Sequence, residues 1–260
     1  MQQSSSSLYA NVLGTGQPLI ILHGFLGMSD NWKTLGMKYA EAGFEVHLLD
    51  QRNHGRSFHS SDFDYQIMAE DLHNYIHTNH IDSACILGHS MGGKTAMQFA
   101  CDYFNHTTKL IVADIAPRFY PPHHHEILNG LQAIDLTQVK SRKGADEALS
   151  DYIKEPGIRQ FLLKNLYRTE DKTFGFRCNL PVLANRMEEI GENIGSTDVY
   201  YGPTLFLRGD RSEYIQETDR ANIKRHFPEA MIETVPNAGH WLHAENPMVF
   251  FEKSLAFLKS

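Results

Sequence analysis

The stretch LGHSMGGKTAMQ, residues 87–98, places one serine between an apolar run and a helical pattern. Ser90 is the centre of a G-x-S-x-G pentapeptide whose outer positions are Gly88 and Gly92. A sharp strand-to-helix turn of this composition lifts the serine hydroxyl above the sheet, and side chains at the two glycines would collide with neighbouring backbone. The stretch therefore predicts a strand, a strained turn and a helix, with Ser90 as a candidate nucleophile.

Short apolar runs alternate with helical patterns along the chain. The runs are rich in Ile, Leu and Val and lack polar alternation, which is typical of strands whose two faces are covered by helices. They lie at 18–24, 44–50, 84–90, 109–115 and 204–210, with a weaker run at 231–236. Apolar residues repeat at helical spacing in 31–43, 65–79 and 249–259, the last with Phe251, Leu255 and Leu258 on one face. The alternation predicts an α/β fold with a mostly parallel, doubly wound sheet.

One long segment interrupts this alternation. Residues 117–201 contain helical patterns, including one that continues to Arg168, but no convincing strand. The segment begins directly after a strand end, where loops of such sheets overhang the ligand crevice. We expect a core of residues 1–116 and 202–260 and a helical cap, or lid, of residues 117–201. A helical extension that never contacts the ligand is the alternative.

Composition disfavours several classes of protein. The chain has 260 residues, 42 % of them hydrophobic, and a net charge of −7. This length suits one large domain with an insertion, and the negative charge without a basic stripe disfavours nucleic acid as a partner. No run approaches the roughly 20 apolar residues of a membrane span, and the N-terminal sequence does not resemble a signal peptide. We therefore expect a cytoplasmic protein.

Metal binding is not expected from the cysteines or the histidines. The three cysteines, Cys85, Cys101 and Cys178, are too few and too scattered for a disulfide framework or a zinc site. His123, His124 and His125 are consecutive. Their side chains would diverge by about 100° per residue on a helix, so they cannot all bind one ion. We interpret this triplet as an exposed part of the cap.

A serine hydroxyl needs a base to take its proton. When the nucleophile lies on this kind of turn, its partners follow in the order serine, acid, histidine. His240, in NAGHWLHAENP, lies between the weak sixth run and the last helical pattern. His243 is the competitor, but it lies closer to the start of the next helix. The order and the flexible Ala-Gly turn favour His240 as the base.

Two aspartates compete for the role of the acid that orients the histidine. Asp114 in VADIAP and Asp210 in LRGDRSEYI both end strands and both follow the serine. In the commonest arrangement the acid occupies the last position of a G-x-x-D turn, and here Ser212 occupies that position. Turn register therefore favours Asp114, with Asp210 as the alternative.

The oxyanion of acyl transfer needs hydrogen-bond donors. The backbone N–H of Met91, directly after the serine, is one candidate. The loop LHGFLG, residues 22–27, offers the backbone N–H of Phe25 as the second. We expect Leu26 and Trp241 to line the substrate pocket beneath the cap.

The segment LLDQRNHGRS, residues 48–57, contains a D-x-R-x-x-G-x-S pattern. Its simplest interpretation is a tight loop held by an ion pair between Asp50 and Arg52. His54 and His59 are then expected to be solvent or loop residues.

Five motifs follow one another along the chain: HGFLG, DQRNHGRS, GHSMGGK, VADIAP and NAGHWLHAENP. With this ordered set the chain resembles the α/β-hydrolases, and more narrowly the YbfF-type bacterial esterases. The resemblance extends over nearly the whole chain. It implies an α/β-hydrolase fold with a small helical lid, activity on short acyl esters and acyl-CoA thioesters, and Asp114 as the triad acid. The sequence departs from those esterases at Asp210, where they usually have a glycine.

The sequence thus predicts a serine hydrolase without metal or cofactor, a carboxylesterase or acyl-CoA thioesterase for short to medium acyl groups. Its expected partner is a small-molecule ester or thioester, and its oligomeric state stays open, with a monomer compatible. One alternative is a different chemistry on the same fold, such as C–C bond hydrolysis or a perhydrolase reaction. The other is a non-catalytic homologue that only binds its ligand.

Overall fold

The computed structural model of the protein describes residues 7–122 and 124–260. The strands are β1 (Ala10–Leu13), β2 (Gln17–Leu22), β3 (Phe44–Leu49), β4 (Ala84–His89), β5 (Thr107–Ala113), β6 (Leu166–Arg168), β7 (Phe174–Phe176), β8 (Thr204–Gly209) and β9 (Ala230–Val235). The first helices are α1 (Lys33–Glu41), α2 (Tyr65–Thr78), α3 (Met91–Asp102), α4 (His125–Ala133), α5 (Arg142–Leu149) and α6 (Pro156–Leu162). They are followed by α7 (Leu180–Asn185), α8 (Met187–Gly191), α9 (Arg220–His226), α10 (Leu242–Glu245) and α11 (Pro247–Lys259).

In the described part of the chain the main sheet has seven strands in the order β1-β3-β2-β4-β5-β8-β9. Every neighbouring pair is parallel except β1 and β3, which are antiparallel at one edge. All six predicted runs form strands of this sheet, so the predicted α/β fold is confirmed. The sequence did not predict β1, because four partly exposed residues at a sheet edge carry no apolar run.

Helices cover both faces of the sheet. On one face α2, α3 and α9 bury an apolar cluster that includes Leu72, Phe99 and Ile223. On the other face α1 and α11 bury a second cluster that includes Trp32 and Phe250. Because both faces of these parallel strands are buried, their sequences are continuous apolar runs.

The apolar face predicted for α11 is part of its buried surface. The buried residues of α11 are Phe250, Ser254, Phe257 and Leu258. Phe251 and Leu255, which were predicted to share a face with Leu258, are half-buried and pack against the second cluster. The prediction counted apolar residues alone and so missed Ser254, whose buried hydroxyl hydrogen-bonds the hydroxyl of Tyr39.

Residues 117–201 hold α4 to α8 and also a short antiparallel hairpin of β6 and β7. The helix predicted to continue to Arg168 ends at Leu162 instead, so that prediction is wrong at its C-terminal end. The guanidinium of Arg142 donates to the carbonyls of Leu163 and Leu166, each at 2.6 Å, and so satisfies the carbonyls that follow the helix end. None of the described helices has the length and apolar character to cross a membrane.

Candidate active site

Ser90 lies between β4 and α3 with φ 52° and ψ −117°. This left-handed conformation is strained for a side-chain-bearing residue, and the turn tolerates it because its flanks are glycines. A Cβ on Gly88 would lie 2.1 Å from the carbonyl oxygen of Gly92, and one on Gly92 would lie 2.5 Å from the carbonyl oxygens of Leu22 and His23. The G-x-S-x-G pattern is therefore a steric requirement of this turn.

His240 connects Ser90 to Asp114. Its Nε2 lies 3.0 Å from Ser90 Oγ and its Nδ1 lies 2.8 Å from Asp114 Oδ2. Because a carboxylate only accepts hydrogen bonds, the ring hydrogen is assigned to Nδ1, and Nε2 is left as the acceptor for the serine hydroxyl. The ring of Tyr214 stacks on that of His240 with centroids 3.8 Å apart. In this arrangement Nε2 of His240 can take the hydroxyl proton of Ser90.

Asp114 is fully buried directly after β5, with φ 53°. Its carboxylate accepts from the backbone N–H of Gly209 at 3.2 Å and from the hydroxyl of Ser212. Burial raises the pKa of Asp114 to about 6, while the hydrogen bonds from Ser212 and Gly209 oppose this rise. The site thus holds a carboxylate whose charge is stabilised by hydrogen bonds from the end of β8 and the turn after it.

Asp210 lies elsewhere. Its side chain is exposed and accepts from the backbone N–H groups of Asn237 at 2.9 Å and Ala238 at 3.0 Å. These hydrogen bonds hold the pKa of Asp210 below its ordinary value. Of the two candidate acids, the fold brings Asp114 rather than Asp210 to His240.

His243 is buried, and its ring stacks on Trp32 with centroids 4.2 Å apart and planes 10° apart. Burial lowers its pKa well below the ordinary value, so its ring is neutral. His89, beside it, places Nε2 2.8 Å from the carbonyl oxygen of His240. In the described residues no hydrogen bond joins His243 to Ser90. His243 and His89 therefore form a packed layer behind His240.

The two expected oxyanion donors are available. Across residues 7–122 and 124–260, neither the backbone N–H of Phe25 nor that of Met91 has a hydrogen-bond partner. Both residues line a cavity together with Ser90. Met91 is also the first residue of α3, where the helix dipole favours negative charge. Their role in catalysis stays a prediction.

The interpretation of the segment at 48–57 as a loop held by an Asp50–Arg52 pair is wrong. Asp50 Oδ1 accepts from the backbone N–H of Ser29 at 2.6 Å, and Oδ2 accepts from that of Arg56 at 2.8 Å. Arg52 pairs instead with Asp71 of α2, with Nη2 2.8 Å from Oδ1. The sequence could not reveal this partner, because α2 reaches Arg52 only in the folded chain.

His54 is fully buried, so the expectation of a solvent or loop residue is wrong for it, whereas His59 is exposed. The Nδ1 of His54 lies 2.9 Å from the carbonyl oxygen of Arg52, which leaves Nε2 to accept from the backbone N–H of Leu26 at 3.2 Å. Burial lowers the pKa of His54 to about 3 and keeps it a neutral acceptor. Leu26, with φ 56°, follows Phe25, so His54 holds the loop that carries the candidate oxyanion donor.

Two apolar cavities meet at Ser90. The larger encloses about 560 Å³, partly open to solvent, and its lining includes Leu26, Ile158, Phe161, His240 and Trp241. The smaller spans about 400 Å³, also partly open to solvent, and its lining includes Tyr65, Tyr120, Met187, Ile190 and Gly191. Both cavities take part of their walls from residues 117–201. Leu26 and Trp241 thus lie where a pocket was expected, and their contact with a substrate stays a prediction.

His124 separates the two cavities together with Phe25. The two rings stack with centroids 5.1 Å apart, and apart from Ser90 they are the residues that line both cavities. His124 is half-buried, so its interpretation as part of an exposed triplet is wrong, whereas His125 is exposed. His123 lies outside the described residues. Among the described residues no group of three or more His, Cys, Asp or Glu is placed to hold a metal ion.

Comparisons with known proteins show the family of the chain. Residues 17–148 match the family described as alpha/beta hydrolase fold. The chain is 38 % identical to "sn-1-specific diacylglycerol lipase ABHD11" of Mus musculus, over 92 % of this chain and 80 % of that protein. The chain belongs to the α/β-hydrolase family.

Two further relatives of this α/β-hydrolase carry esterase names. "Esterase YbfF" of Escherichia coli (strain K12) is 33 % identical, with 88 % of each chain covered. The solved structure described as "Marine microorganism esterase" is 43 % identical, with a TM-score of 0.94 over 97 % of this chain and 100 % of that one. The predicted family and its resemblance to YbfF-type esterases are confirmed.

Sequence reasoning missed several residues of this site. Ser212 and Tyr214 contact Asp114 and His240, and His54 supports the loop of Phe25. For Ser212 a signal existed, because it occupies the last position of the G-x-x-D turn. For Tyr214 and His54 no local pattern distinguishes the residue from its neighbours.

Proposed function

We propose that this α/β-hydrolase is a serine hydrolase of carboxylic esters, with Ser90 as nucleophile, His240 as base and Asp114 as acid. The observation that carries the proposal is the continuous hydrogen-bonded chain of these three side chains, with contacts of 2.8 Å and 3.0 Å. Relatives with esterase and lipase names support the same reaction class. A non-catalytic homologue would have no need for an intact chain.

The reaction follows from the positions of these groups. Ser90 Oγ attacks the acyl carbon while His240 Nε2 takes its proton, and the backbone N–H groups of Phe25 and Met91 stabilise the oxyanion. Asp114 stabilises the imidazolium that forms. The imidazolium then protonates the leaving oxygen, and the C–O bond breaks. A water molecule, deprotonated by His240, hydrolyses the acyl-enzyme.

The two cavities take the two parts of the ester. The leaving oxygen must lie beside His240 to receive its proton, and His240 lines the larger cavity but not the smaller one. The alcohol part therefore occupies the larger cavity, and the acyl chain occupies the smaller one. Both linings are largely apolar, which favours short to medium acyl esters of apolar alcohols over the charged leaving group of an acyl-CoA thioester.

Residues 117–201 act as a cap over this site, because they supply Phe161 to the larger cavity and Met187 to the smaller one. The relative from Mus musculus is named a diacylglycerol lipase, so acylglycerols are the first natural esters to test. A cap that supplies walls to both cavities selects substrates by the size of both parts.

The test combines activity and covalent labelling. Ser90→Ala should lower kcat/KM on p-nitrophenyl butyrate by about 10⁴-fold or more, because no other group can form the acyl-enzyme. A fluorophosphonate should add to the wild type but not to Ser90→Ala, as measured by intact mass. Ser196→Ala, at an exposed serine of the cap segment, is the control and should behave as wild type. Full esterase activity in Ser90→Ala would refute the proposal.

A substrate panel separates ester hydrolysis from other chemistries of the fold. Esters, diones and peroxide with acetate should be compared on the same preparation. We expect ester turnover to exceed the other two reactions. Faster cleavage of a dione would assign a C–C bond hydrolase, and faster peracid formation would assign a perhydrolase.

A further inference from the structure

Lys94 is a buried lysine that the proposed mechanism does not use. It lies in the first turn of α3, and its side chain is fully buried. A buried amino group without hydrogen-bond partners is costly, so its partners indicate its role. Its Nζ donates to the backbone carbonyls of Arg118 and Glu192. The rings of Tyr65 and Tyr120 lie 6.0 Å and 5.3 Å from Nζ.

These two carbonyls mark where the chain leaves the sheet and where it returns. Arg118 follows β5 by a few residues, at the start of the segment 117–201. Glu192 lies between Ile190, which packs with the apolar cluster of that segment, and Ile194, which packs with the cluster of the sheet. Lys94 therefore holds both crossings between the sheet and the cap segment.

The two crossings also contact each other. The backbone N–H of Tyr120 donates to the carbonyl of Gly191 at 2.8 Å, and a Cβ on Gly191 would lie 2.0 Å from the carbonyl oxygen of Tyr120. The hydroxyl of Tyr65 donates to the carbonyl of Ile190 at 2.6 Å. Three consecutive carbonyls, of residues 190 to 192, are thus held by Tyr65, Tyr120 and Lys94 in turn.

The same crossings form a wall of the smaller cavity. Tyr65, Tyr120, Ile190 and Gly191 all line it, whereas Lys94 does not. We propose that Lys94 is a positioning residue, which ties the two crossings of the cap segment to the nucleophile helix and so sets the width of the acyl cavity. The assignment of that cavity to the acyl chain rests on the proposed function, but the tie itself does not.

Lys94→Met tests the tie, because it keeps an unbranched apolar stem and removes both hydrogen bonds. Lys109→Met is the matched control, since the Nζ of Lys109 also donates to two carbonyls, of Phe257 at 2.9 Å and Leu258 at 3.1 Å, and lines neither cavity. Hydrogen exchange should accelerate at the Tyr120 amide by about tenfold or more in Lys94→Met. It should stay at the wild-type rate in Lys109→Met.

The second measurement compares p-nitrophenyl acetate with p-nitrophenyl octanoate. The acetyl group fills the least of the smaller cavity, so its kcat/KM should stay within about threefold of wild type in Lys94→Met. The ratio of octanoate to acetate should change by about tenfold, because a displaced wall misplaces only the long chain. Lys94→Gln keeps two N–H donors and should restore part of the wild-type ratio.

Gly191→Ala covers the case in which Lys94→Met does not fold. Its new methyl group pushes the two crossings apart without altering Lys94, so it should change the same ratio and the same exchange rate. Wild-type exchange at Tyr120 and a wild-type ratio in Lys94→Met would overturn the proposal, as would the absence of both changes in Gly191→Ala. Absence of ester turnover in the wild type would refute the proposed function instead, and exchange would still decide the role of Lys94.

Discussion

The hydroxyl of Ser212 donates to the oxygen of Asp114 that also accepts from His240 Nδ1. Ser212 stands at the turn position where the sequence pattern would place the acid, and Asp114 reaches the histidine from the neighbouring strand end. β5 and β8 are adjacent and parallel, with Ala113 paired to Leu207, so their carboxyl ends meet at one point. The turn after β8 therefore lies beside the carboxylate that follows β5.

The Ser212 hydroxyl should set the acidic limb of the pH profile. Burial raises the pKa of Asp114 to about 6, so kcat/KM should fall as the pH drops through about 6 and Asp114 takes up a proton. Ser212→Ala removes a hydrogen bond to the charged carboxylate, so the midpoint should rise by about one pH unit. Ser212→Thr keeps the hydroxyl and should keep the wild-type midpoint. An unchanged midpoint in Ser212→Ala would contradict this account.

The choice of acid can be tested by a pair of isosteric changes. Asp114→Asn should lower kcat/KM by about 10⁴-fold, because an amide at that position no longer stabilises the imidazolium. Asp210→Asn should leave kcat/KM within about threefold and lower Tm, since it weakens the acceptor for two backbone N–H groups. Steady-state kinetics and thermal unfolding of both variants give the answer. A loss of kcat confined to Asp210→Asn would assign the acid to Asp210.

His54 should affect catalysis through the loop that carries Phe25. His54→Phe fills the space of the ring but leaves the backbone N–H of Leu26 without its acceptor. We expect kcat to fall by about 10- to 100-fold with little change in KM, because the loss falls on the oxyanion donor. His59→Phe, at the exposed histidine of the same segment, should keep wild-type kinetics. Equal kcat and KM in the two variants would show that His54 has no role in positioning the oxyanion donor.

The turn around Ser90 should tolerate no side chain at Gly88. Gly88→Ala should lower the free energy of unfolding by about 2–3 kcal/mol, because its Cβ would meet the carbonyl of Gly92. Gly157→Ala is the counterpart in α6, where a Cβ meets nothing within 4 Å. That change should raise the free energy of unfolding by about 0.4–1 kcal/mol. Urea unfolding of both variants measures their free energies of unfolding. A Gly88→Ala protein as stable as wild type would refute the steric requirement for glycine at this position.

The assignment of the two cavities predicts opposite substrate effects. Met187→Ala enlarges the smaller cavity and should raise kcat/KM for longer acyl chains on a constant alcohol, by about 10-fold. Phe161→Ala enlarges the larger cavity and should instead favour bulkier alcohols on a constant acyl group. Two ester series on both variants measure this. The reverse pattern would exchange the two assignments.

The strands and the turn at Ser90 could be predicted from the sequence because each depends on interactions within a short segment. The pentapeptide around Ser90 needs its glycines for reasons confined to one turn, and the buried parallel strands need continuous apolar runs. β1 was missed because an exposed edge strand needs no such run. In α11 the apolar pattern missed the buried Ser254, which hydrogen-bonds Tyr39, more than 200 residues away.

The amino-acid sequence by itself determined the α/β fold, the turn at Ser90 and the position of His240 after the last strands. Only the tertiary structure decided that Asp114 rather than Asp210 faces His240, that His54 accepts from the backbone N–H of Leu26, and that Lys94 donates to the carbonyls of Arg118 and Glu192. The physical reason is that these contacts join residues that are distant in the chain. They depend on which strand ends meet at the sheet edge, and no spacing within a single element encodes that.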